Sequence, residues 1–262
     1  MTDLSADEIR QAVRTSYARI AQKEEAVSGA SCCSHQDCGP EINSETLGYS
    51  KEETEAVPRG SNLGLGCGNP LAFANLKRGE RVLDLGSGGG FDCFLAAREV
   101  GEAGHIIGVD MTPEMISRAR ENARKGNYAN VDFRLGEIES LPVADHFVDV
   151  VISNCVVNLS PDKARVFSEA FRVLKPGGRL AISDIVSFGN LPVEILQDKS
   201  LYEGCIAGAA TISDLETILT DSGFEKIQIV PKDESRSFIE NWVPGRDISD
   251  FVVSAVIKAI KP

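Results

Sequence analysis

The sequence predicts an α/β fold: a mostly parallel sheet of seven strands, helices on both faces, and the last strand antiparallel. Three observations carry that expectation. From Arg81 onward, short apolar runs alternate with amphipathic ones, as strands joined by crossover helices do. A glycine run, Gly86-Ser87-Gly88-Gly89-Gly90, follows the first apolar run and opens a helix. The final apolar run, 251–260, has no helix after it.

The elements follow in order. Residues 3–27 read as an amphipathic helix. Ser5 and Glu8 form a capping-box pair, and Ile9, Val13, Tyr17 and Ile20 recur at three- and four-residue spacing. Over 28–68 the periodicity gives way to Gly, Ser, Asn, Glu and Cys. That segment reads as a loop with a short helix at 51–56, long enough to suggest function. Strands are expected at 81–85, 105–109, 131–135, 147–153, 179–184, 225–230 and 251–260. Helices follow the glycine run at 91–100, then Thr112-Pro113 with Thr as N-cap and Pro in the first turn. Ser160-Pro161 caps another, ending before Lys175-Pro176-Gly177-Gly178, and Ser213 with Glu216 makes a second capping box. The expected division is an N-terminal helix and cysteine-bearing lid over 1–68, and a ligand-binding domain over 69–262 with an insertion carrying Cys205.

Composition narrows the function. The 262 residues are 42% hydrophobic and 25% charged, which suits one substantial globular domain with an extension. No apolar run approaches the ~20 residues of a membrane helix. The start, residues 1–8, is acidic and polar, unlike a secretory signal. A cytoplasmic protein with no membrane partner is expected. Lys and Arg number 27 against 39 Asp and Glu, a net charge of −12. With no run of five basic residues, nucleic acid is not an expected partner either. Seven cysteines in a chain without an export signal argue against a disulfide framework and for core thiols, ligands or nucleophiles.

Glycines at 86, 88 and 90 let the backbone approach a ligand at the end of the first strand. The next strand ends in Asp110, placed for ribose hydroxyls. Asp84 precedes the first glycine, where a carboxylate repels pyrophosphate and suits a ligand with a cationic amino group. S-adenosylmethionine has an amino acid tail, a ribose and no phosphate. Asp84 to Gly90, Gly108-Val109-Asp110 and Leu174-Lys175-Pro176-Gly177-Gly178 resemble the motifs of the Rossmann-like class I S-adenosylmethionine methyltransferases. Gly136-Glu137-Ile138 lies where that family holds the adenine. The expected cofactor-binding set is Asp84, Gly86, Gly88, Gly90, Asp110, Met111, Glu137, Ile138 and Asn154.

The acceptor is read from the thiols. Cys93, one turn into an apolar helix, reads as packing. Cys67 lies in a glycine-rich loop where no core demands a thiol, Cys155 follows the fourth strand, and Cys205 sits in Gly204-Cys205-Ile206-Ala207-Gly208-Ala209. Thiols converging on the cofactor face should bind something soft. Cys32, Cys33, His35 and Cys38 could ligate zinc, but no Cys-x-x-Cys pair occurs, and no tightly bound metal is expected. Trivalent arsenic bonds three thiolates in a pyramid with its lone pair free. That lone pair is itself a nucleophile toward a sulfonium methyl, so no general base is required.

Gly66 to Pro70, Asp84 to Cys93, Val109 to Met115, Ser153 to Ser160 and Gly204 to Ala209 together resemble arsenite S-adenosylmethionine methyltransferases. The resemblance implies methylation of trivalent arsenic or its thiol conjugates, a detoxification chemistry, with Cys67, Cys155 and Cys205 as arsenic ligands. It also implies a fourth catalytic cysteine forming disulfides with Cys67, best matched by Cys38, with Cys32 or Cys33 as alternatives, and thioredoxin or a small thiol as reductant. Two departures stand out. Leu65 replaces an aromatic residue found two positions before the loop cysteine in many members. Many members also continue into a C-terminal domain, whereas this sequence ends at Pro262, as a minimal or a trimmed member would. A quinone-type small-molecule methyltransferase and a non-catalytic thiol metalloid-binding protein are the competing readings.

Overall fold

The structure is a computed structural model that describes residues 5–22, 44–240, 242 and 248–262. Helix α1 (Ala6–Gln22) leads to the short helices α2 (Lys51–Glu55) and α3 (Leu71–Ala74). Strands and helices then alternate: β1 (Arg81–Leu85), α4 (Phe91–Val100), β2 (His105–Asp110), α5 (Pro113–Lys125), β3 (Val131–Leu135) and β4 (Val148–Asn154). After a 3-10 turn at Val157–Leu159 come α6 (Lys163–Val173), β5 (Leu174–Ser187), α7 (Val193–Leu196) and α8 (Lys199–Glu203). The chain closes with β6 (Ala210–Thr211), α9 (Ile212–Asp221), β7 (Glu225–Pro231), α10 (Arg236–Ile239) and β8 (Val252–Ile260). Among the described residues no helix is long and apolar enough to cross a membrane.

The main sheet has the order β3-β2-β1-β4-β5-β8-β7, with two-residue β6 pairing on β5. Strands β1 to β5 are parallel. The last strand, β8, runs antiparallel to β5 and to β7, between which it inserts. The expected seven strands are thus all present, and β6 adds a short eighth. β1 pairs in parallel with β2 on one side and β4 on the other, so the strand order reverses there. At such a switch point the connections diverge and open a crevice beyond the carboxyl ends of the strands.

Alternation of side chains explains why these strands read as unbroken apolar runs. Leu83 and Leu85 of β1 point to one face with Val166, Phe167 and Ala170 of α6. Val82 points to the other with Phe94 and Ala97 of α4. Burial on both faces favours continuous rather than alternating hydrophobicity. A third apolar cluster, around Ile185, Ile206 and Ile239, caps the carboxyl end of the sheet and contains Cys67, Cys155 and Cys205.

Several helix starts differ from expectation. The Ser5–Glu8 box is formed, with Glu8 N donating to Ser5 Oγ at 3.3 Å and Ser5 N to Glu8 Oε2 at 2.8 Å, and α1 spans Ala6–Gln22; 3–4 and 23–27 of the expected helix lie outside the described residues. The N-cap of α6 is Asp162, whose Oδ1 accepts from Arg165 N at 2.9 Å; Ser160 is turned inward and donates to Glu139 Oε1 at 2.8 Å. The N-cap of α9 is Thr211, accepting from Asp214 N at 3.1 Å, so Ser213 lies inside the helix. Both true caps stand next to the expected ones, and tertiary partners decide between neighbouring polar residues.

Candidate active site

The crevice beyond β1 and β4 opens into a cleft that runs from the glycine turn to Cys155 and Cys205. Its floor is the glycine turn. Gly86 and Gly88 have φ of 71° and 50°, values that disfavour a Cβ. A Cβ at Gly86 would strike Val156, whereas one at Gly88 meets nothing within 4 Å, so the backbone there faces open cleft. Asp110 Oδ2 accepts from Gly88 N at 3.0 Å and its Oδ1 from Thr112 N at 2.8 Å. Ser87 Oγ, buried at the cleft wall, has no hydrogen-bond partner among the described residues. A buried hydroxyl without a partner costs stability, and an incoming polar ligand would satisfy it.

Two buried acids line the same cleft. Asp84 accepts from the Cys93 thiol at 3.2 Å, and Asp92 accepts from Tyr49 Oη at 2.7 Å. Burial, and then the negative charge of Asp92, lift Asp84 well above the usual carboxylate range. Burial pushes Asp92 up to about 6 against the hydrogen bonds from Tyr49 and Asn154. Burial likewise raises Asp110. Three desolvated carboxyls with no cation bonded to them among the described residues favour a ligand that brings positive charge and hydroxyl donors.

Asn154, at the end of β4, joins this half to the thiols. Its Oδ1 accepts from Cys67 N at 3.0 Å, while its Nδ2 donates to Gly68 O at 2.7 Å and Tyr49 Oη at 2.9 Å. The loop bearing Cys67 is thereby drawn inward, and Ser254 Oγ ties it further by donating to Cys67 O at 2.7 Å. Cys67 is therefore only 2% exposed, contrary to the reading of its loop as coreless. Cys155, 8% exposed, sits at φ 58° in the turn after β4, and Cys205, 2% exposed, at φ 65°. The Cys155 thiol is in hydrogen-bond contact with those of Cys205 and Cys67, which, with burial, raises its pKa well above the usual range. Cys205 is raised too: the Cys155 contact favours its thiolate, but burial and the charge of Asp184 outweigh it. Binding of a soft electrophile to these two thiols therefore has to release their protons, since the thiolate is the ligand.

Helix α1 roofs the cleft with Arg10, Val13 and Tyr17. Arg10 Nη2 pairs with Glu139 Oε1 at 3.1 Å and Arg14 Nη2 with Glu137 Oε1 at 3.3 Å.

A family model described as "Methyltransferase domain" matches residues 76–223. The arsenite methyltransferase of Halobacterium salinarum is 52% identical over all of this chain and 69% of its own length. The chain belongs to the arsenite methyltransferase family. A second family member, from Aquipseudomonas alcaligenes, is 38% identical over 85% of this chain and 64% of its own, so the chain spans about two thirds of such relatives. The crystal structure of an arsenic(III) S-adenosylmethionine methyltransferase from Chlamydomonas reinhardtii superposes with a TM-score of 0.63 at 33% identity, covering 86% of this chain and 74% of that one.

Within this family member, Asp84, Gly86, Gly88, Asp110, Met111, Ile138 and Asn154 all line the cleft. Two residues of the expected set do other work. A Cβ on Gly90 would meet Phe94 and Phe133 at under 3 Å, so this glycine serves packing of α4 on the sheet. Glu137 is engaged by Arg14 and, at 3.6 Å, by Arg10, and is outside the cleft lining. Cys93 is fully buried, and its thiol bonds Asp84 as well as packing. Leu65, in place of the aromatic residue, lines the cleft. Cys32, Cys33 and Cys38 lie outside the described residues. Sequence reasoning missed Asp92, Ser87 and above all Asp184. Asp184 is 2% exposed, and one of its carboxylate oxygens lies within 4.8 Å of the Cys67 and Cys155 sulfurs.

Proposed function

We propose that this protein transfers a methyl group from S-adenosylmethionine to trivalent arsenic held by Cys67, Cys155 and Cys205. The observation that carries this reading is the meeting of three buried thiols in one apolar cluster, two of which, Cys155 and Cys205, line a cleft that also holds the glycine turn, Asp84 and Asp110. The open face of Gly88 and the partnerless Ser87 hydroxyl fit a cofactor with ribose and amino acid groups. When bound, S-adenosylmethionine supplies an electrophilic sulfonium methyl. Asp110 would hold its ribose hydroxyls, Asp84 and Asp92 its ammonium, and Ile138 its adenine. Two of the three arsenic ligands project from turns of positive φ, which fix the thiols toward one another. Arsenic with three thiolates is neutral, so an apolar pocket accepts it without a counter-charge. The pocket also excludes water that would compete for the methyl group.

Electron counting implies a second role for thiols. Methylation commits the arsenic lone pair to a new bond and leaves arsenic formally pentavalent. A fourth thiolate attacking the sulfur of one arsenic-bound cysteine forms a disulfide and returns that electron pair to arsenic. Cys38, or failing it Cys32 or Cys33, is the candidate, with Cys67 its first partner; thioredoxin or a small dithiol then reduces the pair. The 1–68 segment acts with the methyltransferase domain as its lid. The test is incubation with arsenite, labelled S-adenosylmethionine and a dithiol. Label should appear in methylarsenicals; arsenite binding without any labelled arsenical would leave a binding protein instead.

A further inference from the structure

We infer that the thiol pocket also binds a thiophilic divalent cation of the zinc and cadmium class, through Cys67, Cys155 and Asp184, in competition with arsenic. The inference rests on the proposed function only in taking Cys67, Cys155 and Cys205 as the arsenic ligands. The two sulfurs and a carboxylate oxygen of Asp184 lie within 4.8 Å of one another, all on buried residues. Small side-chain rotations bring three such donors to the ~2.0–2.3 Å of zinc bonds about a common centre.

Cys205 is placed differently. Its Sγ donates to the Cys155 carbonyl oxygen at 2.8 Å, and it is not among the mutually close donors. The Asp184 carboxylate is held ready. Oδ2 accepts from Val157 N at 2.9 Å, while Oδ1 accepts from Ile185 N at 2.8 Å and Asn158 Nδ2 at 2.9 Å. Donors of this kind orient a ligating carboxylate; Oδ1 is filled by its two donors, and Oδ2, with one, retains a lone pair for the ion.

Charge separates the two guests. Arsenic(III) with three thiolates is neutral and gains nothing from a carboxylate. A divalent cation with two thiolates and a carboxylate carries one net negative charge. Half-buried Lys163, whose Nζ donates to Ser160 O at 3.3 Å, interacts electrostatically with Asp184. It offsets that charge. Binding releases the two thiol protons to solvent, and no electron changes hands. The bound ion occupies two of the three arsenic ligands, so it excludes the arsenical.

The experiment uses the full chain with Cys32, Cys33 and Cys38 changed to Ser, so that only the described thiols report. Cadmium is titrated by its thiolate charge-transfer absorption. Arsenite is titrated by the fluorescence of Trp242, the single tryptophan, which packs in the same apolar cluster. Expected are one cadmium per chain with the absorption of two thiolates, and a crossed response. Asp184→Asn should weaken cadmium at least tenfold and arsenite less than threefold; Cys205→Ser should do the reverse. Absorption of three thiolates, or equal losses of both ligands in Cys205→Ser, would overturn the inference, and these two readings decide it even should Asp184→Asn not fold. Arsenite binding without cadmium binding refutes this inference alone; cadmium binding without arsenite binding refutes the proposed function alone.

Discussion

Asp110 does two jobs with two oxygens. It pins the glycine turn through Gly88 N and starts α5 through Thr112 N, and its remaining lone pairs face the cleft. Asp110→Ala should weaken S-adenosylhomocysteine binding by about 3 kcal/mol, roughly a hundredfold, because charge-assisted hydrogen bonds are lost; calorimetry showing unchanged affinity would remove it from the cofactor site. Asp92, at about 6, adds a pH signature. A cationic amino group favours the ionised carboxylate, so cofactor affinity should fall as pH drops through 6. The free protein should behave oppositely. A folded pKa above the ordinary value of 3.8 means the native state holds the extra proton, so stability declines as pH rises from about 4 to 6. Denaturant titrations across that window check the sign. Among the thiols, Cys155→Ser and Cys205→Ser should abolish both the first and second methylations, whereas Cys38→Ser should impair the second more; product speciation by chromatography distinguishes them. The three thiols were legible because they fall outside the apolar strand runs. Asp184 was not, since Ala181-Ile182-Ser183-Asp184-Ile185 reads as one strand and only the β4–β5 register, Asn154 against Ser183, carries it to the thiols.

At the scale of elements, α1 shows how a helix can be both roof and gate. Its buried stripe of Ile9 and Val13 holds it down, while Arg10 grips Glu139 at the cleft wall and Arg14 grips Glu137 outside it. The half-exposed Arg14–Glu137 pair contributes only about 0–1 kcal/mol and weakens with salt; Arg10–Glu139 is largely buried, but the buried carboxylate keeps its Ser160 donor when Arg10 is removed. Arg10→Ala with Arg14→Ala should therefore leave the fold intact, speed amide exchange in α1 severalfold, and raise the cofactor KM modestly with a blunted salt dependence. Exchange in α1 matching the parent would show that the arginines do not hold the roof. Element positions were legible because hydrophobic period sets them: β1, α4 and β3 begin and end where the sequence says. Caps were less so. Ser160 and Ser213 have the right chemistry, but Ser160 is claimed by Glu139, and Thr211 already closes the turn that Ser213 would have capped.

At the scale of the whole molecule, the sheet order places the glycine turn and the thiols on opposite sides of one strand end, and Asn154 is the joint between them. β4 lies between β1, which delivers the glycine turn, and β5, which delivers Asp184. From that position the Asn154 amide reaches Cys67 N and Gly68 O on the thiol side, and Tyr49 and, at 3.4 Å, Asp92 on the cofactor side. No local pattern could have announced it, because its partners are as far as 105 residues away in sequence. Asn154→Ala leaves a buried N–H and a buried carbonyl without partners, at about 1–3 kcal/mol for each group. For a chain of this size roughly 3 kcal/mol lowers Tm by about 6–12 °C. The loop carrying Cys67 loses its Asn154 anchor and keeps the Ser254 bond, while the glycine turn and Asp110 keep theirs. Arsenite affinity should consequently fall at least tenfold while S-adenosylhomocysteine affinity falls less than threefold, both read by titration below the lowered Tm. Equal losses at the two sites would mean that Asn154 supports the cleft as a whole; a larger loss of cofactor would place it in the cofactor site proper.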